Sequence, residues 1–319
     1  MDPLVATASR AIVRTVRGDV DPAQLGPTDA HEHLFLETPL QPADTFQDVD
    51  RAVAEAATLV AAGARALVDW TPLGLGRRAD GLVAVSEATG LHVVAATGLH
   101  RDAHYPADSW ARSATVATLS RRFADEVTDG MDGTGARAGI IKVGAGYHAV
   151  SALEATAFEA AAAAHAATGA PVCVHTQHGT MGEGLVERLG DLGVPAPAVI
   201  LAHLDRNPDA GEHTAIAETG AWLQYDGPGR TKYWPDSTIL ALIADVAQRG
   251  HGDRLLVGGD VGRANMMRAY GGGPGMDYVF ARFRPRLARE LGDDLSRAIF
   301  EDNPARAFAF VPRHEEEVA

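Results

Sequence analysis

Eight short apolar runs recur along the chain of 319 residues, at 25–36, 66–72, 92–98, 138–144, 171–176, 198–205, 221–228 and 254–262. Runs this short and this rich in Val, Ile, Leu and Ala are strands buried on both faces. The segments 49–62, 108–129, 151–167, 182–192, 208–219 and 235–249 lie between them and mostly read as helices, with Ser151 and Asp236 as candidate caps. Eightfold alternation of strand and helix predicts an α/β chain whose parallel sheet closes into a (β/α)8 TIM barrel; an open doubly wound sheet is the alternative. No linker or repeat divides the sequence, so residues 1–319 are expected to form one domain, with 1–24 as an N-terminal extension. Within and just beyond it, 12–25 reads as a small hairpin, and the GGGPG stretch at 271–275 as a mobile loop after the eighth strand.

Charge and cysteine count narrow the function. Asp and Glu total 42 against 28 Lys and Arg, a net charge of −14, which disfavours nucleic acid and anionic membranes and leaves a small molecule as the expected partner. The single cysteine, Cys173, excludes an internal disulfide framework and any Cys-rich zinc module, so a metal would need His and carboxylate ligands. Arg10, Arg14 and Arg17 have no apolar core behind them, so no signal peptide is read and a cytoplasmic location is expected. The Ala-rich stretch 151–170 is interrupted by Glu154, Glu159 and His165 and reads as an amphipathic helix, not a membrane span. Only two of the basic residues are lysines, Lys142 and Lys232, and each invites a chemical reading.

Polar residues collect where the strands end. The first run carries His31 and His33, which strand alternation sends to the same side. Lys142 ends the fourth, His175 the fifth, His203 the sixth and Asp260 the eighth. In a barrel these ends meet at one face, so four imidazoles, an amine and a carboxylate would surround one point. A bare ammonium inside an apolar strand is costly. Reaction of the amine with carbon dioxide would turn Lys142 into a carboxylate able to bridge two metals, which arginine could not do.

With this ordered set, the sequence resembles the phosphotriesterase family of the amidohydrolase superfamily, nearest in motif to its lactonase branches. The resemblance runs from Val16-Arg17-Gly18 and Thr28-Asp29-Ala30-His31-Glu32-His33 to Asp302-Asn303-Pro304-Ala305-Arg306. It implies that His31, His33 and Asp260 hold the more buried of two metals, and His175 and His203 the more exposed one. N6-carboxylated Lys142 and a hydroxide would bridge them, with Asp260 as general base. Zinc suits these ligands, and Mn or Co would fit. The resemblance also implies a homodimer.

The expected reaction is opening of a lactone ring. Triesterases of the family place a proton-relay carboxylate three residues after the sixth-strand histidine, where this chain has Arg206, and a histidine after the seventh-strand aspartate, where Gly227 follows Asp226. Lactonases for long acyl chains tend to place a tyrosine after the third-strand Thr-Gly, whereas Thr97-Gly98-Leu99 leads here to His100. Organophosphate triesters and acyl-homoserine lactones are therefore the alternatives, and an anionic or sugar-type lactone the expectation. His100, Arg230, Lys232, Tyr233 and Arg263 are the candidate substrate contacts, the three cations giving an anionic group a partner. Alternatively these cations balance Asp226, Asp236 and Asp277. Met266 stands where the phosphofuranose lactonases would carry a phosphate-binding tyrosine. Tyr147, His104, His148 and His178 read as pocket-lining or simply solvated loop residues, Trp70 as a pocket wall or packing residue, and Cys173 as core. A metal-containing homologue that binds without turnover is the non-enzymatic alternative, disfavoured by the complete ligand set.

Overall fold

The structure, a computed structural model, describes residues 10–313; the first nine residues of the expected extension and the last six of the expected domain lie outside it. The predicted hairpin is present as β1 (Ile12–Thr15) and β2 (Gly18–Val20), and a two-residue strand near the C-terminal end, Ala309–Phe310, adds to β1. Eight parallel strands then follow in spatial order: β3 (Thr28–Glu32), β4 (Ala66–Asp69), β5 (His92–Gly98), β6 (Ile140–Ala145), β7 (Val172–Thr176), β8 (Val199–Ala202), β9 (Trp222–Tyr225) and β10 (Leu255–Val257). Each is separated from the next by at least one helix, except where β10 returns to β3.

That last junction forms a seam. The backbone N–H groups of Gly259 and Asp260, just past β10, both donate to the His31 carbonyl, at 3.1 and 2.8 Å. The approach needs two glycines: a Cβ on Gly258 would stand 2.5 Å from the His31 nitrogen, and one on Gly259 2.3 Å from the Glu32 carboxylate. The eight strands thus form a nearly closed TIM barrel, as the alternation predicts.

Around it lie α1 (Val49–Ala61), α2 (Ala79–Thr89), α3 (Val116–Thr128), α4 (Ala152–Thr168), α5 (Gly182–Asp191), α6 (Ala210–Glu218), α7 (Asp236–Val246) and α8 (Arg284–Leu291). Ser151 caps α4 in a capping box with Glu154, as its spacing predicts. Asp236 does not cap α7: its carboxylate instead accepts from the Gly229 N–H and the Tyr278 hydroxyl, each at 2.9 Å, and so joins the loop after β9 to the segment before α8. The segment 108–129 is divided, a short 3-10 turn at Trp110–Ser113 preceding α3. The GGGPG loop is tied rather than loose: Gly272, Gly273 and Gly275 donate to Met267, Asn265 and Met266 carbonyls. The buried Glu55 of α1 also accepts from the Ala269 and Met276 N–H groups.

The lower barrel interior is an apolar plug of Ala30, Val68, Val94, Ile140, Ile200 and Leu256, all fully buried, with Cys173 among them as core. Among the described residues, no helix is long and apolar enough to cross a membrane.

Candidate metal centre

Above the plug the interior turns polar. His31, His33, Lys142, His175, His203 and Asp260 line one cavity of about 240 Å³ at the carboxyl ends of the strands. Alternation alone does not deliver the first pair, because β3 shifts register between Asp29 and Glu32 and His33 lies beyond the strand. The two rings still converge: the Nε2 atoms of His31 and His33 lie 3.6 and 3.3 Å from Asp260 Oδ1. His203 and Asp260 both have positive φ, 67° and 45°, a strained backbone of the kind that clusters at functional sites.

The outer nitrogen of each histidine has a partner. Thr71 donates its hydroxyl to the Phe35 carbonyl at 2.9 Å, so its oxygen is left to accept from His33 Nδ1–H at 2.8 Å. His175 Nε2–H reaches Gln177 Oε1 at 2.9 Å, and His203 Nδ1–H reaches Asp226 Oδ1 at 2.6 Å. His31 Nδ1 lies 3.4 Å from the other Asp226 oxygen and accepts from Gln224 Nε2–H at 2.7 Å. The inner nitrogens of His33, His175 and His203 are consequently lone pairs turned into the cavity. His175 Nδ1 and His203 Nε2 are 2.7 Å apart, and His31 Nε2 is buried with no hydrogen-bond partner. Histidines tethered through one nitrogen and aimed through the other are arranged as metal ligands.

The electrostatics agree. Burial pulls His31 and His203 down to about 4 and His175 well below the ordinary imidazole value, which keeps the rings neutral. Burial likewise pulls Lys142 down to about 8; its amine faces the Trp70 ring at 5.6 Å. Trp70 also stacks on His31 at 4.1 Å; fully buried among the plug residues, it packs behind the site and does not line the cavity. Burial pushes Asp260 upward, but Arg230 and the neighbouring imidazoles outweigh it and hold the carboxyl well below its usual range. His31, His33 and Asp260 present ligand atoms close enough to share one ion. The residues present fit a cation, because neutral inward lone pairs at hydrogen-bond distance repel unless something positive lies between them.

The candidate substrate contacts also line the cavity, in roles the sequence did not disclose. Arg230 is buried and donates to both the side chain and the carbonyl of Asp260. Arg206 Nη2 joins it on Asp260 Oδ2 at 2.9 Å. Arg263 pairs with Asp44 at 3.0 Å, and exposed Lys232 lies over the Tyr233 ring at 4.7 Å. None of these cations pairs with Asp236 or Asp277; Asp277 holds Arg268 instead. Where the triesterase histidine is missing, a Cβ on Gly227 would come 2.2 Å from Asp205 Oδ2, so the aspartate fills that space. His100 packs against His104 and His175 inside the cavity, whereas Tyr147, His148 and His178 line a separate outer groove. Thr71, Gln177, Gln224 and the partnership of Asp226 with His203 were not read from the sequence. Arg101 was also missed, although its place directly after His100 was the available signal.

Comparison with known proteins gives the same answer over nearly the whole chain. The profile of the Phosphotriesterase family matches residues 11–308. A phospho-furanose lactonase of Mycoplasmopsis agalactiae is 34% identical, over 95% of this chain and 93% of its own. Among solved structures, a lactonase from Listeria monocytogenes superposes with a TM-score of 0.90 at 31% identity, covering 94% of this chain and 99% of its own. The phosphotriesterase homology protein from Escherichia coli, solved with phosphate in its active site, gives 0.85 at 31% identity, covering 91% and 100%. By this match, the chain belongs to the phosphotriesterase family of hydrolases.

Proposed function

We propose that the protein is a binuclear metal-dependent lactonase acting on an anionic or sugar-type lactone. The observation that carries this reading is the set of four neutral imidazoles whose inner nitrogens face one point beside Lys142 and Asp260. His31, His33 and Asp260 would hold one divalent ion, His175 and His203 the other, and carboxylated Lys142 both; zinc fits best, with Mn or Co acceptable. Such ions supply a Lewis acid for a carbonyl and lower the pKa of water toward neutrality. A depressed amine at Lys142 favours carboxylation, because the neutral form is the one that attacks carbon dioxide.

Asp260 accepts the proton of the attacking water as the new C–O bond forms at the ring carbonyl. The ring C–O bond then breaks, and the proton passes to the departing alkoxide. Asp260 Oδ1 faces His31 and His33 while Arg206 and Arg230 hold Oδ2, so the carboxylate is kept ionised and fixed in orientation. His100, Tyr233 and the cations Arg230, Lys232 and Arg263 would line the bound substrate. The names of the lactonase relatives and the phosphate in the Escherichia coli protein support an anionic lactone over a neutral triester. A single domain and a homodimer complete the proposal; light scattering tests the latter.

Turnover of a panel of anionic and neutral lactones and paraoxon-like triesters, by protein expressed with metal and bicarbonate, tests this function. Preference for an anionic lactone is expected. Preference for triesters over every lactone would assign organophosphate hydrolysis instead, and metal content of one equivalent or none would end the binuclear scheme.

A further inference from the structure

The outer groove is separate from the metal cavity except at Arg206, which lines both. Neighbouring residues divide between the two: Gln177 lines the cavity and His178 the groove, and Asn207 follows Arg206 into the groove. At about 240 Å³ the cavity lies below the ~300–1,000 Å³ usual for a small-molecule site, and ions would take part of it, whereas the groove offers about 720 Å³. A lactone with substituents beyond its ring needs further room, and the groove adjoins.

The groove is built rather than left over. Three of its residues, His148, His178 and Met181, hold positive φ of 49°, 58° and 67°, the kind of strain that collects at functional sites. Thr180 ties two of its walls, accepting from the His148 N–H at 3.4 Å and donating to the Gln177 carbonyl at 2.8 Å. Gly179 lets the loop after β7 lie on the turn after β8, since a Cβ there would come 3.0 Å from the His203 carbonyl oxygen. Tyr147 is 63% exposed, its ring edge-on to His148 and His178 at 4.5 and 5.9 Å. A large aromatic face held open among polar groups is suited to stacking. Asn207 spends its amide N–H on Glu212 Oε2 at 2.7 Å, which leaves the Asn207 carbonyl and Glu212 Oε1 as acceptors. The cation at the inner end, Arg206, is already committed to Asp260, and burial, with Arg206, Arg101 and Lys232 adding to it, lowers the affinity of His178 for a proton. An anion finds little to hold it here, whereas hydroxyl groups find acceptors and a ring face.

We propose that this groove is a subsite for a neutral polyhydroxylated extension of the substrate, a second sugar ring, with Tyr147 stacking on its C–H face and Asn207 and Glu212 accepting its hydroxyls. The proposal rests on the sugar-lactone reading above and adds a place for what lies beyond the lactone ring, on the loops after β6, β7 and β8 and the start of α6.

Saturation-transfer NMR of the metal-loaded protein with maltose as the probe, beside kinetics on a monosaccharide lactone and its glucosyl-substituted homologue, tests it. Transfer to the maltose C–H protons is expected. Tyr147→Ala should weaken maltose binding by roughly threefold to tenfold, the loss of one aromatic contact, and Tyr147→Trp should restore it. Tyr147→Ala should also raise KM for the disaccharide lactone several-fold more than for the monosaccharide lactone. Absence of transfer in the unaltered protein, or maltose affinity unchanged by Tyr147→Ala, would overturn the subsite. If no lactone turns over while Tyr147→Ala still loses maltose, the lactonase reading fails and the subsite stands.

Discussion

The two halves of the barrel interior follow opposite rules although the same strands build both. On β6, Ile140 packs into the apolar plug and Lys142, two residues on, enters the cavity; on β7, Cys173 and His175 repeat the pattern. The lower half is satisfied by contact alone. The upper half leaves inward nitrogens and guanidinium N–H groups without protein partners, which the proposed cations and substrate would supply. Stability and function are thus separated along β6 and β7 by one repeat of the pleat.

The largest expected effect tests the upper half. Lys142→Ala should abolish turnover and cut metal content while leaving the far-UV spectrum essentially intact, with partial rescue by a short-chain carboxylate. Full activity and metal content in Lys142→Arg would break the contrast, since guanidinium cannot form the bridge. Asp260→Asn follows, with a loss of roughly 10²–10⁴ in kcat. It should keep much of its metal, because an amide oxygen still ligates, and an unchanged rate at neutral pH would remove Asp260 from the proton path.

The plug should respond in the other currency. Ile200, fully buried, when changed to Ala should cost about 2–5 kcal/mol of stability by urea unfolding while the folded fraction keeps its kcat/KM. A large loss of specific activity would show that the halves are coupled.

The smallest effect concerns a histidine outside the barrel bore. His213 on α6 is buried against Tyr225, whose hydroxyl lies 2.6 Å from its Nδ1, and burial pulls it down to about 4. Its folded pKa lies below the unfolded value of ~6.5, so its contribution is full above that pH and is lost as pH falls toward about 4. The slope from one group is at most ~1.4 kcal/mol per pH unit. His213→Gln should flatten stability against pH in that window, and an unaltered slope would place the acid sensitivity among the cavity histidines.

What could be read from sequence divides along the same line. Strand ends were legible because a polar residue closing an apolar run stands out locally, as at His175 and His203. Helix α2 went unnamed because it follows the loop-like LGLGRR and carries Gly81 inside it. The assignment of charges was not legible at all. Arg263 meets Asp44 and Arg230 meets Asp260 only through the closed ring, so composition could count the cations but not say which were already occupied.

The seam between β10 and β3 gives the metal site a second meaning. His31 comes from the first barrel strand, His33 from just beyond its end and Asp260 from just past the last strand, on either side of the junction closed by the Gly259 and Asp260 N–H groups. An ion held by these three would act as a rivet across the two ends of a ring whose parts are far apart in sequence. Ring closure of that kind is slow to find, because most of the chain must be ordered before it gains anything. A cation bound there would therefore hold only a completed barrel, and its capture would mark the moment the ring locks.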